Sequence, residues 1–317
     1  MKEYTSASKY SNSKGCVVTI GTFDGVHIGH KAILRRLVES ARVQYLDSVL
    51  LTFFPHPRMV LQGDKNLRLL NTISEKKELI EATGVDHFVV HPFTKEFSRL
   101  TAVEYVRDIL VNQLNAKKII IGYDHRFGRN RTADISDLRE FGETYAFEVE
   151  EISAQELDEV AVSSTKIRNA LHIGDIATAN KYLGYHFMLN GSIVSGKGIG
   201  KTLNYPTANL QIGAHYKLIP PKGVYLVRAK ISHRWVYGLT SIGTNPTVGG
   251  TEQTIETFLM DFDDDLYHQN LCIEFITHIR DEETFNSTEE LIQAIERDEK
   301  FARNFLASYD PTLIQKS

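Results

Sequence analysis

The chain is poor in cysteine, has a single tryptophan, and contains no long apolar run. Its two cysteines, Cys16 and Cys272, stand far apart in separate apolar stretches. That excludes a disulfide-stapled fold and reads as buried thiols in a reducing compartment, the cytoplasm. No apolar stretch approaches the ~20 residues that span a bilayer, so no membrane partner is expected. Positive charge is not in excess: 36 Lys and Arg stand against 40 Asp and Glu, a net charge of -4. This argues against a surface built for nucleic acid. Residues 1–14 lack the apolar core of a secretory signal and read as a loose polar arm or part of a tag. What is present is ordinary for a globular protein, 42% hydrophobic and 24% charged in 317 residues, and long enough for two domains. No internal repeat is visible, and no pattern sets an oligomeric state.

The organisation changes midway. Apolar strand-like runs at 17–20, 48–54, 87–90, 118–121 and 146–152 alternate with helical runs at 31–41, 74–83, 102–114 and 135–141. The helix at 74–83 opens on Ser74 with Lys77 three residues on, a cap without a full capping box. Strands separated by helices imply a parallel sheet with ligands at the carboxyl ends of its strands. Two short helical runs, 165–172 and 176–183, follow. Strand-like runs at 187–194, 224–231, 235–242, 254–262 and 271–279 then imply an antiparallel barrel, closed by a helix at 287–306 that docks through Leu291, Ile292, Ile295, Phe301 and Phe305. The expected fold class is α/β: a Rossmann-like domain at 15–184 and an antiparallel β-barrel at 185–310.

The densest chemistry lies in Gly21-Thr22-Phe23-Asp24-Gly25-Val26-His27-Ile28-Gly29-His30. An apolar strand enters this glycine turn and an amphipathic helix leaves it, so free backbone N–H groups and a positive helix end gather there and attract phosphate. His27 and His30 share one face of the opening helix, and Gly29 leaves the backbone open to a ligand. The bland reading is a tight turn with two incidental histidines. It loses because strand, glycines and helix start agree. Two further loops follow strands: Phe54-Pro55-His56-Pro57-Arg58, and 122–131 with Arg126, Arg129 and Arg131, suited to phosphate or ribose contacts or else merely solvated. In Ser163-Ser164-Thr165-Lys166-Ile167-Arg168 the hydroxyls cap a helix, and cations in its first turn call for an anion nearby.

In the second half, Ser195-Gly196-Lys197-Gly198-Ile199-Gly200-Lys201-Thr202 is not a P-loop: Ser195 stands where the first glycine is required, and Pro206 stops the helix that should follow. It reads as a flap over a ligand. Thr207 and Asn209 alternate in an extended segment, so a hydroxyl and an amide oxygen point the same way and suit Mg²⁺. Glu256 sits between apolar neighbours on a strand, a placement that needs a reason; it is either a base or a satisfied edge glutamate. The acidic run from Asp261 to Asp265 is a hairpin turn, not a calcium loop, because Leu266 and Cys272 stand where Gly and Glu are required.

From about Val17 to about Asp298 the chain resembles the bacterial bifunctional riboflavin kinase/FMN adenylyltransferase (FAD synthetase) family. GTFDGVHIGH, TFFPHP, GYDHRFG and SSTKIR occur in the family's order, and the first resembles the HxGH signature of nucleotidyltransferases. The residues 196–210, with Pro206, resemble the riboflavin kinase signature, although Ile199 replaces the usual Arg and Asn204 a Gly; Phe54, His125 and Ser241 also depart from the family's usual residues. The resemblance implies phosphorylation of riboflavin to FMN, then transfer of an adenylyl group from a second ATP to give FAD. It implies His27 and His30 on the transferring phosphate; Gly21, Phe23, Asp24, Gly29, Ser164, Thr165 and Arg168 on ATP; and His56, Asp124 and Arg126 along a flavin or nucleotide loop. For the kinase it implies Gly196, Gly198, Gly200, Thr202, Pro206, Thr207 and Asn209 on ATP, with Mg²⁺ on Thr207 and Asn209, Glu256 as base and Arg280 near the flavin. A barrel that only binds flavin, or a flavin sensor without catalysis, are the competing readings.

Overall fold

Cys16–Ile20 is buried at every position, and its alternate residues feed two separate cores. Cys16, Val18 and Ile20 pack with Val106, Ile109, Leu110 and Leu138 on one side. Val17 packs with Leu34, Leu37, Val38 and Ile80 on the other. A strand sealed on both faces belongs in the middle of a parallel sheet. The computed structural model describes residues 1–63, 66–123, 125–153, 162–195, 205–247, 250–264, 266–267 and 269–310, except the side chains of 245–252. It forms two compact units, Met1–Ser163 and Ser164–Ser317.

The first unit holds six strands: β1 (Lys2–Tyr4), β2 (Cys16–Ile20), β3 (Asp47–Phe54), β4 (His87–Pro92), β5 (Ala116–Gly122) and β6 (Glu148–Ile152). Their order is β1-β4-β3-β2-β5-β6, and every pairing is parallel. The helices are α1 (Ile28–Val43), α2 (Pro57–Leu61), α3 (Ile73–Glu81), α4 (Ala102–Glu104), which runs on as a π-helical segment Tyr105–Gln113, and α5 (Ile135–Tyr145). The chain runs outward from β2 through β3 and β4, then returns to β2's other side with β5. The loops after β2 and β5 therefore flank the switch point, where open parallel sheets bind ligands.

Two expectations fail in this unit. The N-terminal residues are not a loose arm. Lys2–Tyr4 pairs with His87–Val89, and the buried Tyr10 ring meets Tyr4 edge-on at 5.3 Å. α3 does have a full capping box. Thr72 accepts from the Glu75 N–H while the Glu75 side chain accepts from the Thr72 N–H, and the Ser74 hydroxyl pairs with Thr72 Oγ1 instead of capping the helix itself.

The second unit comprises α6 (Ser164–His172), α7 (Ile176–Leu183), then β7 (Met188–Val194), β8 (Thr207–Gln211), β9 (Gly223–Ile231), β10 (Arg234–Thr247), β11 (Gly250–Leu259), β12 (Asn270–Arg280) and α8 (Thr288–Ala307). The strands close into a barrel in the order β10-β11-β8-β7-β12-β9. Compactness places the division at 163/164 where the sequence suggested 184/185. α7 goes with the barrel: it buries Ile176, Ala179 and Leu183, and the Asn180 amide donates to the Phe275 carbonyl at 2.8 Å and accepts from the Phe187 N–H at 2.7 Å. That single buried side chain ties α7 to two barrel segments.

Of the residues expected to dock α8, Phe305 packs on the barrel and Leu291, Ile292 and Ile295 are half-buried, so only Phe301 departs from the expectation. The buried residues of α8 are Ala294, Asp298 and Ala302, while Phe301 is exposed. Ala302 lies close over Val224, Leu226, Leu239, Met260 and Ile276, and Phe305 and Leu306 pack against the same cluster. Both cysteines are free thiols, Cys16 buried and Cys272 only half-buried, where both were expected inside. Among the described residues no helix is long and apolar enough to cross a membrane.

Candidate active sites

In the first unit, β2 ends at Ile20 and α1 starts at Ile28. The turn between them is strained: Phe23, Gly25 and Val26 have φ of 46°, 93° and 35°, a region that favours glycine. His27 is the N-cap of α1, and its Nδ1 accepts from the His30 N–H at 3.3 Å. The two imidazoles stack, with centroids 3.6 Å apart and planes inclined by 16°. A Cβ at Gly29 would meet the His27 ring at 3.3 Å, so this glycine is what lets the ring fold back over the first turn. The Phe23 ring lies 4.8 Å from His30, and a Cβ at Gly21 would meet that same phenyl ring at 2.9 Å.

Electrostatically the site is a cationic place held neutral. Burial, opposed by the charge of Asp24, lowers the His27 pKa to about 4. Burial, then His27 and Lys76, hold His30 well below its usual value. The His30 Nδ1 is buried with no hydrogen-bond partner. An anion beside such a pair would raise both pKa values again, so the histidines are set to gain hydrogen bonds or protons as negative charge arrives. Asp24 is buried, and its carboxylate accepts from the Leu70 N–H at 3.0 and 3.2 Å and from the Asn71 N–H at 3.4 Å. These bonds help hold the turn in place.

His56 caps α2 by accepting from the Arg58 N–H at 3.2 Å, after a cis Phe54–Pro55 bond. Arg126 is exposed and lies 3.8 Å from Asp134. Its neighbour Phe127 is buried. Asp124 lies outside the described residues. Sequence reasoning missed Lys76, which is 3% exposed and whose Nζ donates to the Thr22 carbonyl at 2.7 Å. A lysine in the first turn of a helix opposes the dipole and so calls for a partner, but no local pattern names that partner, which is 54 residues away in the chain.

In the second unit, Ser164 and Thr165 open α6, with Arg168 one turn on and half-exposed. β8 pairs with β11 so that Asn209 faces Glu256 and Thr207 faces Phe258. Cross-strand partners share a sheet face, which brings Thr207, Asn209 and Glu256 together. The Thr207 hydroxyl donates to Glu256 Oε2 at 3.4 Å. Glu256 is half-exposed, so it is not a carboxylate trapped in the core. The alternate residue Thr257 is the buried one, hydrogen-bonded to Thr240 at 2.8 Å. Pro206 is exposed, and Tyr205 meets Phe258 edge-on at 5.1 Å, which anchors the start of β8. Gly196, Gly198, Gly200 and Thr202 lie outside the described residues. Arg280 does not stand open: its guanidinium makes bonds of 2.9 to 3.1 Å to Asp298 on α8. The groove lined by Arg234, Trp235, Tyr237, Met260 and Arg303 sits toward the start of β10, away from Ser241, which pairs with Glu256, and holds none of these residues.

A parallel sheet with paired histidines at its switch point, joined in one chain to a closed barrel carrying a hydroxyl, an amide and a carboxylate on one face, defines a two-part enzyme of nucleotide and phosphate transfer. Comparison with known proteins agrees. Residues 9–166 match the FAD synthetase family model, and residues 183–306 match the riboflavin kinase model. The chain belongs to the bifunctional riboflavin kinase/FMN adenylyltransferase family. It is 37% identical to the Escherichia coli (strain K12) protein of that name, over 94% of this chain and 95% of that one. It is 33% identical to the Listeria monocytogenes protein, over 93% of each. A solved structure described as a macrolide-efflux protein from Streptococcus pneumoniae superposes with a TM-score of 0.85 at 30% identity, over 95% of this chain and 98% of that one.

Proposed function

We propose that adenylyl transfer takes place at the His27–His30 stack and phosphorylation of riboflavin beside Glu256. The chain is a bifunctional riboflavin kinase and FMN adenylyltransferase. It uses one ATP to make FMN from riboflavin and a second to make FAD and pyrophosphate from FMN.

The observation that carries the first assignment is the stack itself. His27 Nδ1 accepts from the His30 backbone, so its proton sits on Nε2 and can be donated to a phosphate oxygen. The FMN phosphate is already ionised and attacks the α-phosphorus of ATP without a general base; the obstacle is anion meeting anion. Two imidazoles that burial keeps neutral give hydrogen bonds, and then positive charge, as the transferring phosphate becomes more negative. Ser164, Thr165 and Arg168 are assigned to the ATP phosphates on their motif.

For the kinase step the nucleophile is a neutral ribityl hydroxyl, so a base helps. Glu256 is assigned that proton. Thr207 and Asn209 offer hard, neutral oxygens on the same face, a donor set that fits Mg²⁺ bound chiefly through phosphate oxygens. When bound, the ion neutralises charge on the transferring phosphoryl group. Arg280 is assigned to holding α8 against the barrel, with any contact to flavin made through that fixed geometry.

Product analysis separates the two assignments. With riboflavin, ATP and Mg²⁺, His30→Ala is expected to make FMN and no FAD. Glu256→Ala is expected to make FAD only when FMN is supplied. FAD formation by His30→Ala at the wild-type rate would remove the first assignment, and FMN formation by Glu256→Ala would remove the second.

A further inference from the structure

Lys76 is a buried charged residue of the first unit that no motif accounts for. It is 3% exposed and stands at the fourth position of α3, near the positive end of that helix. Burial and dipole both oppose an ammonium there, so its position needs a cause. Its Nζ donates to the Thr22 carbonyl oxygen at 2.7 Å, and Thr52 Oγ1 donates to the same oxygen at 3.2 Å. Thr22 leads directly into the left-handed residues Phe23, Gly25 and Val26. Strained turns of this kind persist only where the surroundings over-determine them. Here Lys76 and Thr52 hold the turn at Thr22, and Asp24 holds it through the Leu70 and Asn71 N–H groups. Phe23 then carries the fixed geometry to the His30 ring. The capping box of α3 fixes the lysine's own helix at Thr72 and Glu75.

We infer that Lys76 is a positioning residue for adenylyl transfer: it grips the Thr22 carbonyl and fixes the strained turn that sets the histidine stack. The inference rests on the adenylyl-transfer reading of His27 and His30. The groups that act on one another here are Lys76 and His27 on His30, Asp24 on His27 and Asp24 on Lys76. Burial brings the Lys76 pKa down to about 8, so the ammonium stays largely charged at neutral pH. Losing it would weaken the grip on the turn and let His30 take a proton more readily.

The test uses the full chain with Lys76→Gln, Lys76→Met and Lys76→Arg. FAD formation from FMN and ATP is measured from pH 5.5 to 8.5, with FMN formation from riboflavin on the same preparations as the control for folding. Gln and Met are expected to lower kcat for FAD formation at least tenfold with KM for ATP within threefold, and to leave FMN formation within twofold. Arg, which keeps the charge and the donor, is expected to recover most of the loss. In Lys76→Gln the acid limb of the kcat profile is expected to move to higher pH, because a cation facing His30 is gone. Wild-type kcat with an unmoved acid limb in Lys76→Gln overturns the inference, as does equal loss of both activities in Gln and Arg. If Lys76→Met does not fold, the Gln and Arg pair still decides. His30→Ala run alongside distinguishes the two levels: if it keeps FAD formation, the reading of the site fails; if it loses FAD formation while the Lys76 variants keep it, only the inference fails.

Discussion

A methyl group added at position 29 would press on the His27 ring at 3.3 Å, yet alanine suits the first turn of a helix better than glycine by up to about 1 kcal/mol. Stability and activity should therefore part company. Gly29→Ala is expected to unfold in urea at the wild-type midpoint or slightly above it, to make FMN normally, and to form FAD at least tenfold more slowly. A variant equally active in both steps would show that the stack tolerates displacement. The histidines and this glycine were legible in the sequence because their spacing and their flanking strand and helix are local. Lys76 was not. Its partner, the Thr22 carbonyl, lies more than fifty residues away in the chain, and only the order of strands brings the two together.

At the level of elements, the terminal helix shows what periodicity reads and what it misses. The helix itself, its start at Ser287 and its length were evident, and Ser287 accepts from the Glu290 N–H as a cap should. Its docking face was evident in part, since Phe305 packs on the barrel; the fully buried positions were not, because two alanines and an aspartate carry little hydrophobic signal. Asp298 is buried because Arg280 reaches it from β12. Removing one member of such a pair leaves the other poorly solvated. Asp298→Ala is expected to cost about 2–3 kcal/mol in urea unfolding, Arg280→Ala a similar amount, and the double variant little more than either. Additive losses in that cycle would mean that the two residues act separately.

Over the whole molecule, several histidines are kept neutral by burial. His27 is brought to about 4, His30 is held well below its usual value, and in the second unit burial, with the charge of Arg228, brings His186 to about 3. In the unfolded chain the same side chains titrate near 6.5. Below that pH the unfolded chain binds protons the folded one refuses, so stability falls with falling pH. At pH 5 His27 and His186 each cost about 2 kcal/mol relative to pH 7.5, and His30 acts in the same direction. The melting temperature is expected to drop steadily from pH 6.5 to pH 5, and a flat profile across that interval would contradict the neutral assignments. Fold class, the parallel-then-antiparallel order and the family were all readable from strand and helix alternation and from the motifs. What the sequence did not show is that the helix Ile176–Leu183 packs with the barrel, to which the buried Asn180 contributes.

That asparagine has a practical consequence. It lies upstream of the residues that match the riboflavin kinase model, 183–306, so anyone trimming a gene to the matched segment would discard it. The cut would orphan the Phe187 N–H and the Phe275 carbonyl inside the protein. A free-standing kinase piece should begin no later than Ser164, so that both short helices are kept.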